Sequence, residues 1–329
     1  MPKKMIVFAT SFLDELLTHP EGEGKARAAL EDAAKRNSLK LEFRCDRNPL
    51  HPMTEEELQD AVAVIADLEL YSPELLAGVG RKNGGDLGLI TRYGIGYNSI
   101  DADAAAEAGI WLSNTPGANS LPTAEWSATT ILDIAGRRIP HHTRAGIGLT
   151  KTGPSRLDIT GKTLGIIGTG KIGKKVAELL KGFQMNILAA DLYPDQEWAR
   201  NQSARYVDIP TICREADFIT LHASGGTLLL GENEINMMRP TTALINCARG
   251  TLVDNIAVYK AVKEGRLFGY GIDEVWEYGN LPLEGLNIAA SPHVGSDTDM
   301  GKLNMQLMSA QALIDFSDGK EPRHIVNRR

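Results

Sequence analysis

The sequence predicts an α/β protein built on parallel sheets, and three observations carry that prediction. Short apolar runs alternate with helix-like runs almost throughout the 329 residues, the pattern left by repeated βαβ units. A glycine-rich turn at Gly168–Gly173 joins one such run to the helix-like segment after it. A hydrophobic content of 43% with 23% charged residues is that of an ordinary globular chain. At roughly 150 residues per domain, the length suggests two domains.

Taken in order, Met5–Ala9 reads as the first strand. The apolar stretch behind Lys3-Lys4 faintly imitates a leader, but Asp14-Glu15 follow at once and no small-residue cleavage site is present. Leu41–Cys45, Val62–Ile65, Gly88–Thr91 and Ile110–Leu112 are the next strands, with Gly24–Lys35 and Glu55–Gln59 helical in composition between them. The cluster Asn114-Thr115-Pro116-Gly117 makes a turn. A long helix is expected from about Leu121 to Gly136, and Gly153-Pro154 opens a loop into a second, more regular series. There Thr163–Gly168 is a buried strand, Ile172–Phe183 an amphipathic helix and Met185–Ala190 the following strand. Ala204–Val207, Phe218–His222, Ala243–Asn246, Tyr270–Asp273 and Asn287–Ala290 continue the series, which reads as one doubly wound domain. A helix over Asp299–Phe316 and a strand-like His324–Val326 close the chain.

The charge balance excludes some function classes. With 35 basic against 42 acidic residues, a net charge of −7 and no basic block, no nucleic-acid partner is expected. No apolar run approaches 18 residues, so no membrane span is expected either. Cys45, Cys213 and Cys247 are odd in number and far apart, which fits neither a disulfide framework nor a metal knuckle. They read as reduced thiols of a cytoplasmic protein without a metal.

The chemistry begins at Gly168-Thr169-Gly170-Lys171-Ile172-Gly173, a G-x-G-x-x-G between a strand and a helix. In such a turn the first glycine allows the tight bend and the second lets a pyrophosphate approach the backbone. The third lets helix and strand pack closely, and the phosphates rest on the helix N-terminus. Asp191, at the end of the next strand, stands where a carboxylate accepts hydrogen bonds from ribose hydroxyls and repels a 2′-phosphate. NAD is the cofactor this predicts. Because the fingerprint starts only at residue 168, the nucleotide domain is expected to be inserted between two pieces of another.

Two further motifs follow strands. Asn246-Cys247-Ala248-Arg249-Gly250 offers a guanidinium whose planar fork suits a carboxylate. Ser291-Pro292-His293-Val294-Gly295 offers an imidazole able to exchange a proton near neutral pH. Asp273 ends the strand between them, with Glu277 four residues on.

Together these residues resemble the D-isomer-specific 2-hydroxyacid dehydrogenase family. The likeness runs from Arg92–Asp101 (RYGIGYNSID) through NTPGANS at Asn114–Ser120 and Glu125, then GTGKIG, NCARG, GIDEV and SPHVG. It implies a Rossmann NAD domain inserted into a discontinuous, flavodoxin-like α/β substrate domain. The bounds expected are 1–117 and 296–329 for the substrate domain and 118–295 for the NAD domain. It also implies hydride transfer between nicotinamide and a small D-2-hydroxy or 2-keto acid of the glyoxylate, hydroxypyruvate, phosphoglycerate or lactate type. Arg249, Glu277 and His293 would be catalytic, and Ile95, Gly96, Arg249 and His293 would bind substrate. Gly168, Gly170, Lys171, Ile172, Gly173, Asp191, His222, Cys247, Ala248 and Asp273 would bind the cofactor. A homodimer through the Thr123–Arg138 helix, with Trp126 and Ile131 buried in the contact, is the implied assembly.

The sequence departs from the family pattern in two places. The family's glutamate falls five residues after the aspartate, where this chain has Tyr278, so Glu277 is one short. Glu274 and Asp297 are the other acids that could serve His293. His222–Thr227 also lacks the usual H-x-P-L-T. Two rivals share the scaffold. A phosphite-oxidising relative carries a lysine where this chain has Ile95, and a nicotinamide-sensing, corepressor-like regulator carries extensions for peptide binding.

Overall fold

Every pairing between strands in the computed structural model is parallel. The structure describes residues 2–13, 24–48, 50–149, 153–274 and 281–328. By its contacts the chain divides into two units. One joins the two chain ends, Met1–Asn119 with Thr298–Arg329, and the other is the intervening Ser120–Asp297.

The first unit carries β1 (Lys4–Val7), β2 (Lys40–Phe43), β3 (Ala61–Ala66), β4 (Leu89–Arg92) and β5 (Trp111–Ser113). Their spatial order is β2-β1-β3-β4-β5, that of a flavodoxin-like doubly wound sheet. Successive residues of β1 face opposite cores: Ile6 joins the cluster with Tyr71 and Leu76, while Met5 and Val7 join that with Leu30 and Leu313. A sheet covered on both faces needs apolar residues on both, which is why its strands read as unbroken apolar runs. The helix Asp299–Ser317 brings the C-terminal segment back to this unit, capped by Thr298, whose side chain accepts from Gly301 N. Beyond it, Asp318 receives a two-pronged bond from Arg36 (2.9 and 2.8 Å).

The second unit carries β6 (Thr163–Ile167), β7 (Asn186–Ala190), β8 (Arg205–Tyr206), β9 (Phe218–Leu221), β10 (Ala243–Asn246), β11 (Gly269–Asp273) and β12 (Ile288–Ser291). Their order is β12-β11-β10-β9-β6-β7-β8. Counted from β6 this is the Rossmann order 3-2-1-4-5-6 with a seventh strand added. Along β6, Ile167 packs into one core and Leu164 and Ile166 into the other.

The structure corrects two local expectations. Glu55–Gln59 is not helical: Leu58 N bonds to Glu55 O and Gln59 N to Glu56 O, three residues back, so the segment is a run of turns. Glu57 is drawn into that shape by a paired bond from Arg47 and by the Thr54 hydroxyl. His324–Val326 is not a strand but one antiparallel bridge, Ile325 to Ser113. Past it, the Asn327 side chain takes Leu112 N at 2.9 Å. The Tyr71-Ser72-Pro73 turn opens a helix, Pro73–Val79, whose Leu75 N–H bonds to the Ser72 side chain. Cys45 and Cys213 are buried, and burial pushes both thiols up to about 12.

Candidate active site

In an open parallel sheet, ligands bind at the C-terminal edge where the strand order reverses. In the Ser120–Asp297 unit that point lies between β6 and β9. Gly168 turns the chain there with φ of 95°, and a Cβ on it would stand 2.5 Å from Ala223 N. Both its conformation and its neighbour therefore require glycine. Gly173 packs the helix Lys171–Leu179 against the same turn, and a Cβ there would fall 2.1 Å from Gly168 O. Gly170 is the opposite case. It caps that helix without a side chain, and among the described residues nothing lies within 4 Å of where its Cβ would be. The open space meets backbone N–H groups at the positive end of a helix, as a pyrophosphate requires.

Asp191, one residue past β7, borders this turn. Its carboxylate accepts Thr169 N at 2.6 Å, Thr169 Oγ1 at 3.0 Å and Tyr193 N at 2.9 Å. Partial burial opposes its charge, but the bonds from Tyr193 and Thr169 hold the carboxyl below its ordinary range. Two oxygens offer about four acceptor positions, and three are taken, so one remains for a ribose hydroxyl. These residues fit NAD: a phosphate cradle that a side chain would fill, and a carboxylate kept charged beside it.

His222 and Cys247 follow β9 and β10. The imidazole lies between Thr220 Oγ1 at 2.9 Å from Nε2 and Cys247 Sγ at 3.2 Å from Nδ1. Ser127 of the Ser120–Ala135 helix donates to the same sulfur at 2.9 Å. Desolvation pushes His222 down to about 3 and Cys247 up to about 12. Both are therefore neutral, and the chain Thr220–His222–Cys247–Ser127 ties two strand ends to a helix.

Arg249 and His293 emerge at the same edge, past β10 and β12, the two neighbours of β11. Buried Asn246 shapes the arginine's loop: its Nδ2 bonds to Arg249 O at 2.9 Å and its Oδ1 accepts Ala248 N at 3.0 Å. The Glu274 carboxylate accepts Gly250 N, which places that acid beside the Arg249 loop. His293 is exposed and has φ of 59°, in the left-handed region. Asp273 is buried, and its carboxylate accepts Ser291 Oγ at 2.6 Å, Val294 N at 2.8 Å and Gly295 N at 2.6 Å. Glu277 and Tyr278 lie outside the described residues.

Ile95 and Gly96 belong to the other unit, past β4 on its own C-terminal edge. Their loop is pinned to the Asn114–Gly117 turn. Gly94 N bonds to Thr115 Oγ1 at 3.1 Å, Thr115 N to Gly94 O at 3.1 Å, and Asn114 Nδ2 to Ile95 O at 2.9 Å. Ser127 and Thr220 escaped the sequence reading, and Thr169 and Asn246 stood inside its motifs without a role. Only Asn246 had a local signal, as the polar residue closing an apolar strand. Among the described residues no group of three or more His, Cys, Asp or Glu could hold a metal, and no helix is long and apolar enough to cross a membrane.

Comparison with known proteins agrees with this geometry. Residues 133–295 match the family model described as D-isomer specific 2-hydroxyacid dehydrogenase, NAD binding domain. A glyoxylate reductase of Thermococcus litoralis is 35% identical over 75% of this chain and 79% of its own. A D-3-phosphoglycerate dehydrogenase of Archaeoglobus fulgidus is 29% identical over 90% of this chain and 56% of its own. In fold, the chain is similar to a D-lactate dehydrogenase of Aquifex aeolicus solved with NAD and lactic acid. That likeness has a TM-score of 0.81 at 22% identity, covering 99% of this chain and 100% of the other.

Three predictions follow from the glycine turn and the desolvated imidazole. Gly170→Ala should fold normally, with Tm within about 2 °C of wild type, yet weaken NADH binding about tenfold or more by filling the cradle. Gly173→Ala should lose about 1–3 kcal/mol to overpacking, seen as a fall of several degrees in Tm. The His222 imidazole is depressed in the folded chain, so the unfolded chain binds the extra proton first as pH falls below about 6.5. Stability should therefore decline from there toward pH 3, and His222→Gln should flatten that decline. Urea midpoints at pH 7.5 and pH 5 test this, and equal slopes in both proteins would contradict it.

Proposed function

The chain belongs to the D-isomer specific 2-hydroxyacid dehydrogenase family, and we propose that Arg249 and His293 carry its chemistry on a short 2-keto acid. It is an NAD-dependent oxidoreductase acting between small 2-keto acids and D-2-hydroxy acids. One observation carries the proposed roles. Arg249 and His293 follow β10 and β12, on the two strands that flank β11, at the same sheet edge as the glycine turn. At about 4.8 Å per strand their stems stand roughly 10 Å apart, a span that a small acid and the two side chains can fill.

Gly168–Gly173 and Asp191 would hold the dinucleotide, with Lys171, Ile172, His222, Cys247 and Ala248 beside it, and its nicotinamide supplies or accepts the hydride. The Arg249 guanidinium binds the substrate carboxylate and faces the keto oxygen, where negative charge develops as the carbonyl is reduced. It keeps its own charge at every working pH. His293 donates a proton to that oxygen, and in the reverse direction takes it from the hydroxyl. Glu277 is the acid proposed to favour the imidazolium form. The backbone at Ile95 and Gly96 is proposed to receive the carboxylate. The glyoxylate reductase relative supports glyoxylate as the first substrate to test.

A homodimer in a reducing cytoplasm remains the expected state. Ile131, expected in the dimer contact, is fully buried within its own unit. The apolar surface available near that helix is instead the exposed Ile139, Ile147 and Leu149 of the segment after it.

Steady-state kinetics with NADH and a panel of 2-keto acids, glyoxylate first, test the reading. Arg249→Ala should cost on the order of a hundredfold or more in kcat/KM, and Arg249→Lys should restore only part, because an ammonium lacks the fork. His293→Ala should lower kcat by roughly 10² to 10⁴ while NADH still binds. Near-wild-type turnover in either alanine variant would end the assignment. NADH should be preferred over NADPH because Asp191 repels a 2′-phosphate, and Asp191→Ala should narrow the gap. Equal kcat/KM for the two cofactors in the wild type would contradict this.

A further inference from the structure

We infer that Asp273 is the positioning residue of His293, acting through the backbone of the loop that carries it. The inference rests on the reading of His293 as the proton donor. Asp273 ends β11, is only 8% exposed, and sits between the strands that bear Arg249 and His293. Its three donors bracket the histidine: Ser291 Oγ two residues before it, Val294 N one after and Gly295 N two after, at 2.6, 2.8 and 2.6 Å. Each is a hydrogen bond to a charged acceptor, roughly twice as strong as one between neutral groups.

The loop needs such an anchor. His293 has φ of 59°, a conformation unfavourable for a residue with a side chain, which persists only where its surroundings impose it. The direction in which the imidazole leaves the chain follows from this backbone conformation. Gly295 completes the fit, since a Cβ there would stand 2.5 Å from Asp273 Oδ2. An uncharged group of the same shape would fail. An amide at 273 turns an N–H₂ toward at least one N–H or O–H donor, and the loop then relaxes toward ordinary φ and carries the imidazole with it.

The test is a double-mutant cycle read by single-turnover oxidation of NADH with glyoxylate. Asp273→Asn should lower the rate roughly 10- to 100-fold, the scale of an ångström-sized misplacement of a reacting group. NADH binding, in which Asp273 is itself expected to take part, is titrated separately, and the rates are compared at saturating NADH. In a His293→Asn background the same substitution should have almost no further effect, because no imidazole remains to be placed. Ser291→Ala, which removes one donor of three, should give a smaller loss with the same non-additivity, and it carries the test if Asp273→Asn fails to fold. A full, additive loss in the His293→Asn background would overturn the inference. Wild-type rate in Asp273→Asn beside an inactive His293→Asn would also overturn it alone. Wild-type rate in His293→Asn would instead remove the reading beneath it.

Discussion

A strand in a parallel sheet reaches its neighbour only by crossing back over one face, so all strands of the sheet end at the same edge. In the Ser120–Asp297 unit, that constraint alone assembles the site. Six of its seven strands deliver Gly168, Asp191, His222, Cys247, Arg249, Asp273 and His293 to one rim from positions spread over more than a third of the chain. The reversal of order between β6 and β9 leaves the gap in which the glycine turn sits. Burial on both faces keeps the strands apolar and rigid, so the polar residues just past their ends are held by a scaffold that does not share in the chemistry.

What fixes those strand ends is mostly carboxylate. A buried or half-buried Asp can accept about four hydrogen bonds, which makes it an economical anchor for a loop made of N–H donors. Asp191 gathers Thr169 and Tyr193, and Asp273 gathers the loop from Ser291 to Gly295. Asp217, which accepts Thr163 N at 2.9 Å, does the same at the start of β6. In the other unit Asp67 accepts Thr10 N and Thr10 Oγ1 at the end of β3. Neutral pairs serve where charge would interfere. His222 and Cys247 bond to each other beside the nucleotide edge and neither titrates near neutral pH.

Much of this was legible in the sequence because it is local. Apolar runs of four or five residues bounded by turn formers located most of the strands, and the spacing of Gly168, Gly170 and Gly173 is itself a geometric demand. Expectations failed where side chains overrule propensity. Glu55–Gln59 has helical composition, but Arg47 and Thr54 capture Glu57 and turn the backbone. Nor could the sequence pair Ser127 with Cys247, 120 residues apart, or show that Asp273 serves a loop 18 to 22 residues later. Such contacts exist only once the topology brings strand ends together.

A crystal structure of the chain with NAD and a non-reactive 2-keto acid analogue such as oxamate tests the central claim most directly. The dinucleotide pyrophosphate should lie on the N-terminus of the Lys171–Leu179 helix, over Gly170. The analogue's carboxylate and carbonyl oxygens should lie about 2.6–3.2 Å from the Arg249 guanidinium and the His293 imidazole. A dinucleotide on the opposite edge of the sheet, or an analogue bound out of reach of both side chains, would contradict the account.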